Sequence, residues 1–285
     1  MKAAGCYNAS CRCKVLTKAK FRVSRHPLLP TTRSTQAKRR LFCFPHAGGG
    51  AAAFYRWSRY LPDDVALVPM RLPGREDRMA EPAYTDLAKL ADDAAEAVAS
   101  LAPLPSIFVG HSLGGYVALE VARRLLDTSQ FAPTKLVVAA CGAPRGGPAK
   151  SPIGHLPDDQ FIEAVSDRYD GIPDAVRNHP ELMAMVLPAL RADIQMIETY
   201  DYQPSEPLPI DILAIGGTND VGVSPHRLNE WRGVTSAQFQ MRLFPGGHFF
   251  LHPAPRREVG AGEARMPAPL SLICNQLPEA GGAIS

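Results

Sequence analysis

Ser106-Ile107-Phe108-Val109-Gly110-His111-Ser112-Leu113-Gly114-Gly115, continued by the amphipathic stretch 116–126, decides the reading of this chain. An apolar, β-rich run ends in Gly-x-Ser-x-Gly and passes at once into a helical pattern, with Leu113, Val117, Val121 and Leu125 on one stripe. A serine on such a strand-to-helix corner is forced into a strained backbone conformation. Side chains at Gly110 and Gly114 would collide with the neighbouring strand or helix. The Ser112 hydroxyl therefore points into open space. The N–H of Leu113 opens the helix without an intrahelical partner and faces any negative charge that forms beside that hydroxyl. This pattern is a nucleophile elbow.

Outward from the elbow, short β-rich runs at 41–44, 65–70, 107–109, 136–141, 210–215 and 239–244 alternate with helical patterns. Leu87, Leu90, Ala91, Ala94, Val98 and Leu101 recur at helical spacing, with Asp92, Asp93 and Glu96 on the opposite side. Such alternation predicts an α/β fold, a mostly parallel sheet with helices on both faces and its strand C-termini along one functional edge. The stretch 151–209 breaks the rhythm with two helical segments, 158–169 and 181–200, the second containing Pro188, where a kink is expected. It reads as an insertion that packs on the body or forms a lid over an apolar groove. Met183, Val186, Leu187 and Leu190 are its candidate substrate-facing residues. The predicted organisation is a disordered basic extension over 1–38, a core domain over 39–252 and an irregular Pro/Gly/Ala-rich tail over 253–285.

Composition narrows the function classes. The 285 residues are 46% apolar, enough to bury one large core. The net charge of +3 is misleading, because residues 1–40 hold eleven Lys or Arg and no acid. Residues 41–285 carry 20 basic against 28 acidic residues, a net of −8, and their scattered cations argue against a nucleic-acid surface. The acid-free extension has the composition of a solvated tail and also that of an organellar transit peptide. The six cysteines form no CxxC pair and no zinc-finger spacing, so the expectation is no metal, buried thiols at Cys43 and Cys141, and a reducing cytoplasm. No apolar run approaches the length of a membrane span.

A serine hydroxyl needs a base within hydrogen-bond reach and a group to orient that base. Among eight histidines, His248 follows the strand 239–244 through the loop Pro245-Gly246-Gly247, at the sheet edge that carries the elbow; His252 is its chief rival. The orienting acid should follow a strand and precede the histidine. Asp220 does so, at the end of Gly216-Gly217-Thr218-Asn219, whereas Asp211 lies at the wrong strand end and the loop 142–147 offers no carboxylate. The glycine-rich Phe44-Pro45-His46-Ala47-Gly48-Gly49-Gly50 lacks the GK[ST] and GxGxxG signatures of nucleotide loops. It suits an oxyanion hole built from the N–H groups of Ala47 and Leu113.

These segments, with Leu72-Pro73-Gly74-Arg75-Glu76, Pro180-Glu181-Leu182, Leu187-Pro188-Ala189-Leu190-Arg191-Ala192-Asp193 and Phe244-Pro245-Gly246-Gly247-His248-Phe249-Phe250-Leu251, make residues 41–251 resemble the type II thioesterases. These are the stand-alone editing hydrolases of polyketide and nonribosomal peptide assembly lines. The resemblance implies an α/β-hydrolase fold with a helical lid, Ser112, Asp220 and His248 as the triad, and an acyl group held as a thioester on the phosphopantetheine arm of an acyl or peptidyl carrier protein. It implies no cofactor beyond that arm. The same superfamily includes medium-chain hydrolases that release fatty acids from acyl carrier protein. A small-ester hydrolase and an inactive carrier-binding homologue are the other readings. A cytoplasmic monomer is expected, and Arg71, Arg75 and Arg78 are candidates to meet an acidic carrier helix. After Leu251 the family continues into an amphipathic helix, whereas here the only helical period falls at Leu270 to Leu277.

Overall fold

A computed structural model describes residues 26–30, 36–128, 131–144, 151–169, 172, 174–252 and 266–279. Six strands, β1 (Arg39–Phe44), β2 (Val65–Pro69), β3 (Ser106–His111), β4 (Lys135–Ala139), β5 (Asp211–Gly217) and β6 (Phe239–Phe244), form one sheet in the order β2-β1-β3-β4-β5-β6. Every pairing is parallel. Strands β1 to β5 are mostly buried because both faces are covered, whereas the edge strand β6 is half-exposed and carries Gln240 and Arg242. Side chains alternate between the faces: Phe42, Phe44, Phe108, Leu136 and Val138 enter one core, and Leu41, Cys43, Ile107, Val109, Val137 and Ala139 the other.

The first core lies under α2 (Leu87–Ala99) and α3 (Leu113–Asp127). Asp86 caps α2, its carboxylate accepting the N–H groups of Ala88 and Lys89, at 2.8 and 3.2 Å. The second core is closed by the short helix α1 (Ala52–Tyr55), by Trp57, and by Phe250, Leu251, Leu270 and Ile273. Between β4 and β5 the chain forms α4 (Asp158–Tyr169), the single turn α5 (Asp174–Arg177) and α6 (Pro180–Thr199). These helices carry a third apolar cluster of Ile153, Phe161, Val165, Leu190 and Ile194. The helix α6 runs through Pro188 without interruption. Another short helix, α7 (Pro225–Asn229), follows β5.

Two boundaries differ from expectation. Within the predicted extension, Leu28 and Leu29 are buried; Arg71 N–H donates to Leu28 O at 2.9 Å and the Arg78 guanidinium to Pro27 O at 3.3 Å. Two leucines among basic and polar residues carry no periodicity, so only the surface they cover reveals them. Within the predicted irregular tail, α8 (Ala268–Cys274) forms and buries Leu270 and Ile273 against the second core. Pro269 sits in its first turn, where a missing N–H costs nothing. Hydrogen bonds from Lys135 Nζ to Gln276 Oε1 (2.7 Å) and from Arg39 to Pro278 O (3.0 Å) tie this segment to β4 and β1. Residues 1–25, with Cys6, Cys11 and Cys13, and residues 31–35, 253–265 and 280–285 lie outside the described residues. Among the described residues no helix is long and apolar enough to cross a membrane.

Candidate active site

The sheet order places the chain reversal between β1 and β3, so the loops leaving these two strands emerge side by side. Ser112 follows β3 with φ +53° and ψ −118°, a conformation costing roughly 1–3 kcal/mol. Main-chain bonds hold it there: its N–H donates to Ala139 O at 2.9 Å and its carbonyl accepts Gly115 N–H at 2.8 Å. A Cβ at Gly114 would lie 2.1 Å from Phe44 O, and one at Gly110 would lie 2.2 Å from Gly114 O. The elbow, α3 and the end of β1 approach this closely only because both positions lack side chains.

Asp220 and His248 arrive on the loops after β5 and β6. A Cβ on Gly217 would come within 2.3 Å of the carbonyls of Gly246 and Gly247, so glycine there lets the two loops meet. Asp220 Oδ1 accepts the N–H groups of Gly222 (2.9 Å) and Val223 (3.1 Å), which leaves Oδ2 facing His248 Nδ1 at 3.0 Å. Both side chains are buried. His111 Nε2, in turn, lies 2.9 Å from His248 O and supports the main chain of that loop. The rival His252 lines neither cavity that holds Ser112.

Ser112 and His248 share the walls of two small cavities. One, of about 120 Å³, adds Leu113, Tyr116, Cys141, Tyr169, Ile197 and Arg227. The other, of about 30 Å³, adds His46, Ala47, Val165, Tyr169, Leu190, Ile194, Ile197 and Phe249. Leu113 lines the first of these cavities and Ala47 the second, each alongside Ser112. A larger surface groove of about 1170 Å³, bordered by Asp86, Glu120, Arg123, Arg124 and Asp201, contains neither Ser112 nor His248 and pairs no nucleophile with a base. Burial pushes the Cys141 thiol up to about 12, so this neighbour of the site stays protonated.

Of the four lid residues expected to face substrate, Leu190 lines the smaller cavity. Val186 and Leu187 instead pack on the lid's own cluster, and Met183, though buried, lines neither cavity. The wall is formed one to two turns later, by Ile194 and Ile197 at the i+4 and i+7 positions from Leu190, and by Val165 and Tyr169 of α4. That spacing in α6 was the available signal; the contribution of α4 depends on how the two helices pack.

Arg75 is also reassigned. It is 7% exposed and forks onto Asp193 of α6, Nη1 to Oδ2 at 2.6 Å and Nη2 to Oδ1 at 2.9 Å, while Nη1 also donates to Gly49 O at 2.9 Å. Gly48 N–H donates to the same Asp193 Oδ2 at 2.7 Å, and Glu76 accepts the N–H groups of Ala51 and Ala52. The pair clamps the glycine-rich loop beneath the lid. Arg78 pairs with Glu81 and Arg71 with Asp77, so none of the three cations is the free docking group that the sequence allowed.

Known proteins share this architecture. A family model described as "Thioesterase domain" matches residues 39–259. The gramicidin S biosynthesis protein GrsT of Aneurinibacillus migulanus is 40% identical over 219 residues, covering 77% of this chain and 85% of its own. Among solved structures, the RedJ thioesterase of the prodiginine pathway in Streptomyces coelicolor aligns with a TM-score of 0.73 at 32% identity, over 85% of this chain and 91% of that one. YbtT, a type II thioesterase of a yersiniabactin NRPS/PKS pathway, aligns with a TM-score of 0.65 at 32% identity, over 79% of this chain and 90% of that one. The strained serine corner, the six-stranded parallel sheet and the helical lid thus sit in a chain that belongs to the thioesterase domain family, with the α/β-hydrolase fold.

Proposed function

We propose that this chain is a stand-alone type II thioesterase that hydrolyses acyl groups from the phosphopantetheine arm of acyl or peptidyl carrier proteins, clearing misprimed or stalled synthases. The observation that carries the reading is the 3.0 Å contact of His248 Nδ1 with Asp220 Oδ2, in a ring that shares its cavity wall with Ser112. In this reading Asp220 holds the proton on Nδ1, which leaves Nε2 as the base. His248 takes the Ser112 proton as Oγ attacks the thioester carbonyl. The N–H groups of Ala47 and Leu113 receive the oxyanion, each worth on the order of 3 kcal/mol in the transition state. Collapse expels the pantetheine thiolate, protonated by the imidazolium, and leaves an acyl-Ser112 ester. Water, deprotonated by His248, then attacks that ester and releases the carboxylic acid with the serine restored.

The partner brings the pantetheine arm, and the similarity to proteins of peptide and polyketide assembly supports carrier-bound substrates. Intact-protein mass spectrometry of an acylated carrier incubated with wild type or Ser112→Ala tests the reading. The expected loss is about 10⁴-fold or more, and equal deacylation by both proteins would refute the serine assignment. Faster turnover of simple aryl esters than of acyl-pantetheine would count against the carrier role.

A further inference from the structure

Next to the elbow, with His46 at the edge of the smaller cavity, three imidazoles from distant parts of the chain converge. His46 belongs to the glycine-rich loop, His111 ends β3 and His252 follows the His248 loop. One ring nitrogen of each lies within 4.8 Å of one from each of the other two. Their ring centroids are 5.1 Å (His46–His111), 5.2 Å (His111–His252) and 6.0 Å (His46–His252) apart. Their other nitrogens are already used. His46 Nδ1 faces Ala47 O at 2.9 Å, and His111 Nε2 faces His248 O at 2.9 Å. The His252 ring bonds the main chain of Ala53.

A ring nitrogen against a carbonyl must be the protonated one, so in His46 and His111 the second nitrogen carries a lone pair. Among the described residues, the buried atoms His111 Nδ1 and His252 Nε2 have no hydrogen-bond partner, and His111 is fully buried. In the neutral form of each ring, the nitrogen that faces the other two is free to act as a ligand. A cation placed between the rings satisfies both of the unpartnered atoms and engages the His46 nitrogen as well.

We propose that His46, His111 and His252 form a binding site for a divalent transition-metal ion of the zinc class, linking the oxyanion loop, the elbow and the His248 loop. Three neutral imidazoles with an open fourth position suit such an ion, and ring nitrogens anchored on carbonyls are the usual outer support of histidine ligands. A tetrahedral ion with bonds of about 2.0–2.1 Å needs nitrogens about 3.4 Å apart, an inward shift of at most about 0.8 Å per ring. Phe54, Trp57 and Phe249, each in ring contact with at least one of the three, supply the apolar shell. The sequence reading expected no metal because it weighed local spacing, and these residues are 65 and 141 positions apart along the chain.

The test uses the full chain titrated with Co²⁺ as a spectroscopic stand-in, then competed with Zn²⁺. Expected are one ion per chain, visible tetrahedral bands without a thiolate charge-transfer band, a higher Tm, and displacement by Zn²⁺. His252→Phe, which keeps an aromatic ring beside Trp57, should weaken affinity at least 100-fold. Absence of Co²⁺ binding, a thiolate band placing the ion on cysteines, or unchanged affinity in folded His252→Phe would each overturn the proposal. Should that variant fail to fold, X-ray absorption of the wild-type complex decides alone: about three imidazole nitrogens support the site, and sulfur ligands or fewer than three imidazoles refute it. Ser112→Ala should bind the ion as wild type does, so the outcome is independent of whether that serine is the nucleophile.

Discussion

Replacing Asp193 by Ala removes one carboxylate that serves two partners at once. Its side chain is fully buried, both oxygens are engaged by the Arg75 guanidinium at 2.6 and 2.9 Å, and Oδ2 also takes Gly48 N–H at 2.7 Å. The substitution leaves a cation with 8% side-chain exposure facing a cavity, and breaking a buried pair from one side costs about 3–5 kcal/mol. For a domain of this size that corresponds to a Tm lower by roughly 6–20 °C. Urea unfolding measures the change directly. The double variant Asp193→Leu with Arg75→Met tests the cause: with the stranded charge gone it should recover most of the loss, except the share due to Gly48 N–H. Because Gly48 adjoins Ala47, the single variant should also lower kcat more than it raises KM. An Asp193→Ala protein within about 0.5 kcal/mol of wild type would show that the clamp contributes no more than an exposed surface pair, and the reasoning would fail.

Ser112→Gly should raise stability by about 1 kcal/mol in urea while abolishing deacylation, because glycine releases strain at φ +53° that exceeds its extra chain entropy; a clear loss of stability would contradict that. Gly114→Ala should cost about 3 kcal/mol, since its Cβ meets main chain, not a movable side chain, 2.1 Å away at Phe44 O; a neutral effect by thermal unfolding would count against the elbow geometry. Ile273→Ala, though only twelve positions from the last residue, should cost about 2–5 kcal/mol because the residue is fully buried in the second core. With its pKa pushed up to about 12 by burial, the Cys141 thiol bears little thiolate below that pH. Peptide mapping after iodoacetamide at pH 8 should find it unlabelled in the native state and labelled once unfolded.

What the sequence disclosed follows the range of the physics involved. The elbow is local: Gly110, Ser112 and Gly114 constrain one another across five residues, and the strands announce themselves because a parallel sheet covered on both sides requires continuous apolar runs. Helix α4 matches its predicted span 158–169 residue for residue, since Asp158 and Asp159 mark its start. The contact of Asp220 with His248 was also within reach, because each follows a strand and the strands end on one edge. The missed features are decided by surfaces that meet only after folding. Leu28 and Leu29 are buried because the loop after β2 passes over them, and α8 is core because the second face of the sheet would otherwise be open. Leu270 and Ile273 at i and i+3 behind Pro269 were the available hint. Arg75 belongs to Asp193, 118 residues away, and nothing within its own segment favours that partner over Glu76 or Asp77. The same limit explains the lid: α6 shows an apolar stripe, but whether Met183 or Ile194 reaches the serine depends on where α4 presses against it. Residues that shape the chain over a few positions are thus readable in sequence, whereas those that fasten the oxyanion loop, the lid and the histidine loop to one another are not. The fastening residues, Asp193 foremost, are therefore where substitution should separate loss of catalysis from loss of the catalytic side chains themselves.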